Sequence, residues 1–202
     1  MAARALPKGR VFGRGLAATL LIALSLAGIA RIAAGAIVPA KAVVAQILLE
    51  HAFDRSVARH HSVKPWPWAD MAPVARISVS RLGVDRIVLD TGSGQAMAFG
   101  PTLLPAAARI GEPGTAVIAA HRDTHFRFLQ HVRKGDVIVV EGVGGRTRRY
   151  VVTGAEIVRW DRFAIATGGG QQLALATCYP FGATRHGPSR YVVHAVRVGA
   201  KD

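Results

Sequence analysis

One cysteine, Cys178, stands in 202 residues. An internal disulfide is therefore excluded, and this side chain is either a small packing residue or a free thiol kept for chemistry. Acidic residues are scarce as well: twelve Asp and Glu against twenty-six Lys and Arg give a formal net charge of +14. They form no cluster of the kind that holds calcium. Such a positive excess ordinarily points to nucleic acid, an anionic membrane or an acidic polymer. Much of it is not patterned for nucleic acid, because Arg4, Lys8, Arg10 and Arg14 instead precede an apolar run. Internal repeats are missing too, and so are the crossover helices that a β-α-β sheet requires. With the N-terminal segment set aside, the length leaves room for one modest globular domain.

A long unbroken apolar run is also lacking. Residues 15–30 are apolar but short for a bilayer, whose core takes about 20 residues of helix, and Arg31 interrupts them. Arginine can snorkel along its stem, and the chain continues apolar through residues 32–40, so a tilted span of about 20 to 25 residues is expected. The reading is a cytoplasmic basic segment at 1–14 and a single-pass transmembrane signal anchor at 15–40 in the cytoplasmic (inner) membrane. Everything after about residue 40 then lies on the periplasmic or extracytoplasmic side. Ala34-Gly35-Ala36 would serve as a cleavage site in the competing signal-peptide reading, and both readings export the domain. Residues 41–70 read as an amphipathic helix, with Ala42, Val43, Ile47, Leu49 and Phe53 at roughly helical spacing, closed by the Pro/Trp linker Lys64-Pro-Trp-Pro-Trp-Ala-Asp70.

From residue 71 the texture changes to short runs rich in β-branched residues, punctuated by Gly, Pro and Asp. Strands are expected at 74–79, 86–89, 95–99, 115–120, 137–140, 148–153, 155–159, 173–177 and 190–198, with helical turns near 103–108 and 126–132. That pattern predicts an all-β domain over 71–202, a closed or nearly closed barrel.

Cys178 ends an apolar strand and precedes the strand-breaking Tyr179-Pro180-Phe181-Gly182. His121 stands in the same setting, at the exit of the apolar strand 115–120. A thiolate is a nucleophile, and an imidazole can exchange a proton with it and then protonate a departing amine. Arg190 opens the final strand; if that strand is the antiparallel neighbour of the one ending at Cys178, both residues emerge at the same end. Its guanidinium keeps its charge and can stabilise an oxyanion. Each residue alone also has an ordinary reading, as a packed thiol, a surface histidine and a surface arginine.

Together these residues resemble the sortase family, most closely the Gram-negative group called class GN. The likeness rests on Lys64-Pro-Trp-Pro-Trp-Ala-Asp70, Ala98-Phe-Gly-Pro101, His121-Arg-Asp-Thr-His-Phe126, Thr177-Cys-Tyr-Pro-Phe181 and Gly187-Pro-Ser-Arg-Tyr-Val-Val193. Ala174 replaces the first Thr of the family's Thr-Leu-x-Thr-Cys motif. The resemblance implies a sortase-type β-barrel of about eight strands with short helices behind an N-terminal transmembrane helix. It implies a cysteine transpeptidase that cleaves a Leu-Pro-x-Thr-Gly-like C-terminal sorting signal of an exported protein through a Cys178 thioester, passes it to an amine acceptor and needs no cofactor. Hydrolysis can compete. His121 would act as general acid and base, Arg190 as oxyanion stabiliser, Thr177 as an aid to substrate or oxyanion binding, Asp123 as a support for His121, and Arg122 as a substrate contact or surface charge. His125 could exchange roles with His121, and His186 lies in the loop between Cys178 and Arg190.

Three rivals remain at this stage. His121, Asp123 and His125 alternate and could share a face around a metal, although no fourth donor is evident and no metal is expected. An L,D-transpeptidase-like enzyme would carry its Arg soon after the Cys, where Tyr179 and Pro180 stand instead. A non-catalytic anchored β-domain binding an envelope polymer or partner protein would tolerate Cys178→Ala.

Overall fold

The computed structural model describes residues 9–91, 93–163, 165, 169–185 and 187–199, leaving aside the side chains of 9–16 and 33–40. By its contacts the chain divides into two units, Met1–Val44 and Ala45–Asp202. A helix, α1, runs over Gly9–Arg59. In the first unit its residues 17–32 expose Leu20, Leu21, Ile22, Leu24, Leu26 and Ile29. Among the described residues no helix is long and apolar enough to cross a membrane. The transmembrane anchor expected at 15–40 is therefore not supported by the described residues, and the side chains of 15, 16 and 33–40, which belong to that expected span, lie outside them.

In the second unit the last turns of α1 bury Ala45, Leu49, Ala52, Phe53 and Ser56, the spacing of one helical face. Leu49 and Phe53 pack with Met71, Ile87, Leu89 and Ala96. Ile47, expected on this face, is exposed, because the face follows 45, 49, 52 and 56 instead. Polar contacts reinforce the seam. Arg76 hydrogen-bonds Glu50, lies 3.7 Å from Asp54 and 3.4 Å from Asp85, and sits 4.7 Å from the centre of the Phe53 ring. The helix stops where His60 takes a left-handed backbone, φ 56°, and the Ser56 hydroxyl accepts the Val63 N–H at 2.8 Å. Beyond it Trp66 stacks edge-on with Phe99, while Trp68 faces solvent.

The strands are β1 Pro73–Val79, β2 Val84–Leu89, β3 Thr102–Leu103, β4 Gly114–Ala119, β5 Val137–Gly142, β6 Thr147–Arg159, β7 Gln171–Cys178 and β8 Ser189–Val198. They close into a barrel in the order β1-β2-β3-β4-β7-β8-β6-β5. The all-β closed barrel expected from the sequence is what forms, with eight strands, as the family resemblance implies, and not the nine of the strand pattern. Alternation in β1 sends Ala75, Ile77 and Val79 inward, where they meet Ile118, Ile138, Val140, Tyr150, Leu173, Leu175 and Val193. A second, outer cluster of Val117, Ala174 and Val192 is covered by Leu104, Ala107, Phe163 and Ile165. This explains why β4 and β7 read as near-continuous apolar runs: both of their faces are covered.

Three local expectations change. Residues 95–99 form a short 3-10 turn, Ala96–Ala98, instead of a strand; Ser93 Oγ accepts the Ala96 N–H at 3.1 Å and starts the turn. The expected pair 148–153 and 155–159 is the single strand β6, since the irregularity between Val152 and Gly154 is absorbed as a bulge opposite β8. Near 103–108, β3 pairs with β4 at Thr102 and Leu103 and takes the start of the expected helical turn, which is reduced to one turn closed by the Ala107 N–H donating to Leu104 O at 3.1 Å.

Candidate active site

Strand pairing alone brings the chemistry together. β4 and β7 are parallel neighbours with Ala119 opposite Ala176, so His121 and Cys178, two residues further on, leave the same end of the barrel side by side. β7 and β8 are antiparallel, with Cys178 opposite Arg190. All three residues line one cleft of about 290 Å³, whose walls are mainly apolar: Met97, Leu104, Val117, Trp160, Phe163 and Val192. A larger cleft of about 620 Å³, bordered by Arg109, Arg146 and Arg148, contains none of the expected site residues.

The Cys178 thiol is half-buried and free, and His121 is exposed at the rim. No hydrogen bond joins them among the described residues. Arg190 is aimed by its own loop: Nη1 donates to the carbonyls of Gly187, 3.0 Å, and Ser189, 2.9 Å. An apolar-walled cleft with a thiol, an imidazole and a guanidinium suits nucleophilic attack on a carbonyl, because low polarity strengthens each electrostatic contact within it.

The supporting residues fall differently. Thr177 is buried, and its hydroxyl donates to the Ala120 carbonyl at 2.7 Å, tying β7 to the chain just before His121. Arg122 is 4% exposed and reaches away from the cleft, to the carbonyls of Ala183 and Arg185. Asp123 turns to solvent with Oδ1 3.4 Å from Arg122 Nε, and no hydrogen bond connects it to His121 among the described residues. His125 lies outside the Cys178 cleft, in a depression with Arg86 and Arg127. Burial, reinforced by the positive fields of Arg86 and His121, pushes its pKa below the usual histidine value, against an opposing hydrogen bond with the Ala98 backbone. Among the described residues no group of three His, Cys, Asp or Glu is arranged to hold a metal, so the alternation of His121, Asp123 and His125 does not gather them. His186 lies outside the described residues.

Sequence reasoning missed the wall. Trp160 stands 63% exposed at the cleft although it is the largest side-chain type; an aromatic in the turn following a long strand was the available signal. Phe163, Met97 and Leu104 come from three separate connections, which no local pattern links.

Residues 77–198 match the model of the sortase domain. Sortase D of Bacillus subtilis (strain 168) is 36% identical over 90 residues, 43% of this chain and 44% of that protein, so the match spans less than half the relative's length. Among solved structures, sortase C-1 of Actinomyces oris is similar with TM-score 0.55 and 26% identity, over 63% of this chain and 76% of that one. Sortase A of Corynebacterium diphtheriae has the same fold, with TM-score 0.59 and 23% identity over 66% of this chain and 64% of that one. The matched domain runs from within β1 to the end of β8, more than half of the sequence, and the chain belongs to the sortase family.

Proposed function

We propose that this chain is a cysteine transpeptidase that cuts a C-terminal sorting signal of an exported protein and joins the new carboxyl end to an amine. The observation that carries this reading is the single cleft shared by His121, Cys178 and Arg190. The Cys178 thiolate attacks a backbone carbonyl, and the oxyanion that develops is met by the Arg190 guanidinium. Collapse breaks the peptide C–N bond, the departing amine takes a proton from His121, and a thioester on Cys178 remains. An incoming amine then gives up a proton to His121 and displaces Cys178. Thr177 acts at one remove, by fixing the strand end that carries the nucleophile.

The substrate in this reading is an extended Leu-Pro-x-Thr-Gly-like segment, for which Leu104, Val117, Trp160 and Val192 supply an apolar bed. The stretches around Trp66, His121 and Cys178 favour the Gram-negative group within the family. The catalytic unit works on the extracytoplasmic side, held near the cytoplasmic membrane by its N-terminal segment; in support are Arg4, Lys8, Arg10 and Arg14 ahead of the apolar residues.

The test incubates the full chain with a panel of such peptides and a small amine, followed by mass spectrometry. A peptide fragment carried on Cys178 and passed to the amine is expected, absent in Cys178→Ala and reduced about 100-fold or more in His121→Ala. If no peptide acylates the chain and Cys178 also resists alkylation, the catalytic reading fails.

A further inference from the structure

Arg122 follows His121 directly, yet it behaves unlike a surface arginine. It is 4% exposed, and its Nη2 donates to two carbonyls 61 and 63 residues further along the chain, Ala183 and Arg185, the second at 3.1 Å. Both carbonyls belong to the loop, residues 179–188, that leaves Cys178 and returns at Arg190. The base of that loop has its own ties: the Tyr179 N–H donates to Ser189 O at 3.0 Å, and the rings of Tyr179, Phe181 and Tyr191 pack together. Its tip, residues 183–185, has no other hydrogen bond to a distant part of the chain among the described residues.

Burial of this guanidinium is costly. Nε and Nη1 are enclosed without a hydrogen-bond partner, and the Asp123 carboxylate, 3.4 Å from Nε, is itself 64% exposed and screened. An arginine free to reach water would not adopt this position unless the two carbonyl bonds held it there. Enclosure also removes it from contact with a substrate in the cleft.

We propose that Arg122 is a positioning residue: it fastens the loop between Cys178 and Arg190 to the backbone step after His121, so that nucleophile, proton carrier and oxyanion donor keep one geometry. The proposal deepens the transpeptidase reading and rests on it for its kinetic arm only. Three chain segments carry the reacting groups. Thr177 ties the first two together through Ala120, and Arg122 ties the third to them.

The experiment compares the full-length wild-type chain with Arg122→Met, which keeps the stem and removes donors and charge, and with Arg122→Lys, which keeps charge and a donor. For a folded Met variant the expected result is a loss in kcat of about 10- to 100-fold with KM within about threefold, the signature of reacting groups displaced by a fraction of an ångström to an ångström. The Lys variant should fall between. Separately, the pH midpoint of Cys178 alkylation by iodoacetamide should move in the Met variant, since it reports how the thiol senses His121 and needs no substrate. A kcat within about twofold of wild type, or a loss residing wholly in KM, overturns the positioning role. If the Met variant does not fold, the Lys variant decides by the same kcat and KM criteria. Should wild type turn over no peptide, the transpeptidase reading falls, and the alkylation midpoint alone decides whether Arg122 holds His121 against Cys178.

Discussion

The Thr177 hydroxyl and the Ala120 carbonyl form a buried hydrogen bond between the two strand ends that carry the site. Thr177→Val removes the donor while keeping the shape, and should lower stability by about 1 to 3 kcal/mol, because a buried carbonyl loses its partner; Thr177→Ser should recover much of it in urea unfolding. His125 makes a second prediction. Its folded pKa is lowered, so the unfolded chain binds more protons as pH falls below the ordinary value of about 6.5. Its stability contribution is complete above that value and declines as pH drops from it toward the lowered pKa. In His125→Gln that acid-side decline should be weaker, read as a narrowing gap from wild type between pH 8 and pH 5. Cys178, His121 and Arg190 were legible in the sequence because each marks the point where an apolar strand turns polar. Arg122 was not: its burial is set by a loop 61 residues away, and arginine in a turn defaults to solvent.

Among the elements, the last turns of α1 and the strand β1 make the clearest case. Phe53 is fully buried and carries the Arg76 guanidinium over its ring. Phe53→Ala should cost about 3 to 5 kcal/mol, and Arg76→Met should release Glu50 and Asp54 with a smaller loss. Amide exchange is expected to accelerate in residues 45–59 while β7 stays protected; equal acceleration in β7 would show that the helix is integral to the barrel rather than docked on it. Strand positions followed from β-branched runs, but Gly154 was read as a break between two strands. A glycine in a strand marks a bulge as readily as an end, and only the partner strand β8 decides which. Residues 95–99 failed for the opposite reason: the small residues around Met97 carry little strand preference, and the Ser93 side chain starts a turn.

The barrel as a whole is knitted by pairings between strands far apart in the sequence, β1 with β5 and β4 with β7. Leu175 is fully buried at its centre, and Leu175→Ala should cost about 2 to 5 kcal/mol in a single unfolding transition that lowers the yield of active protein without changing the kcat of the folded fraction. Barrel closure was legible as a class, from many short strands without crossover helices, whereas the strand order was not, because nothing local in β4 announces that β7 will lie beside it. That parallel pairing has a consequence in time. Residues 120–170, with β5 and β6 among them, must be in hand before β7 exists to lie against β4, and β8 comes later still in the chain to bring Arg190 opposite Cys178. A chain still emerging, or one truncated between His121 and Cys178, holds a histidine with no thiol beside it. Completion of the last strand is thus the event that assembles the cleft, and an unfinished copy holds its thiol, imidazole and guanidinium apart.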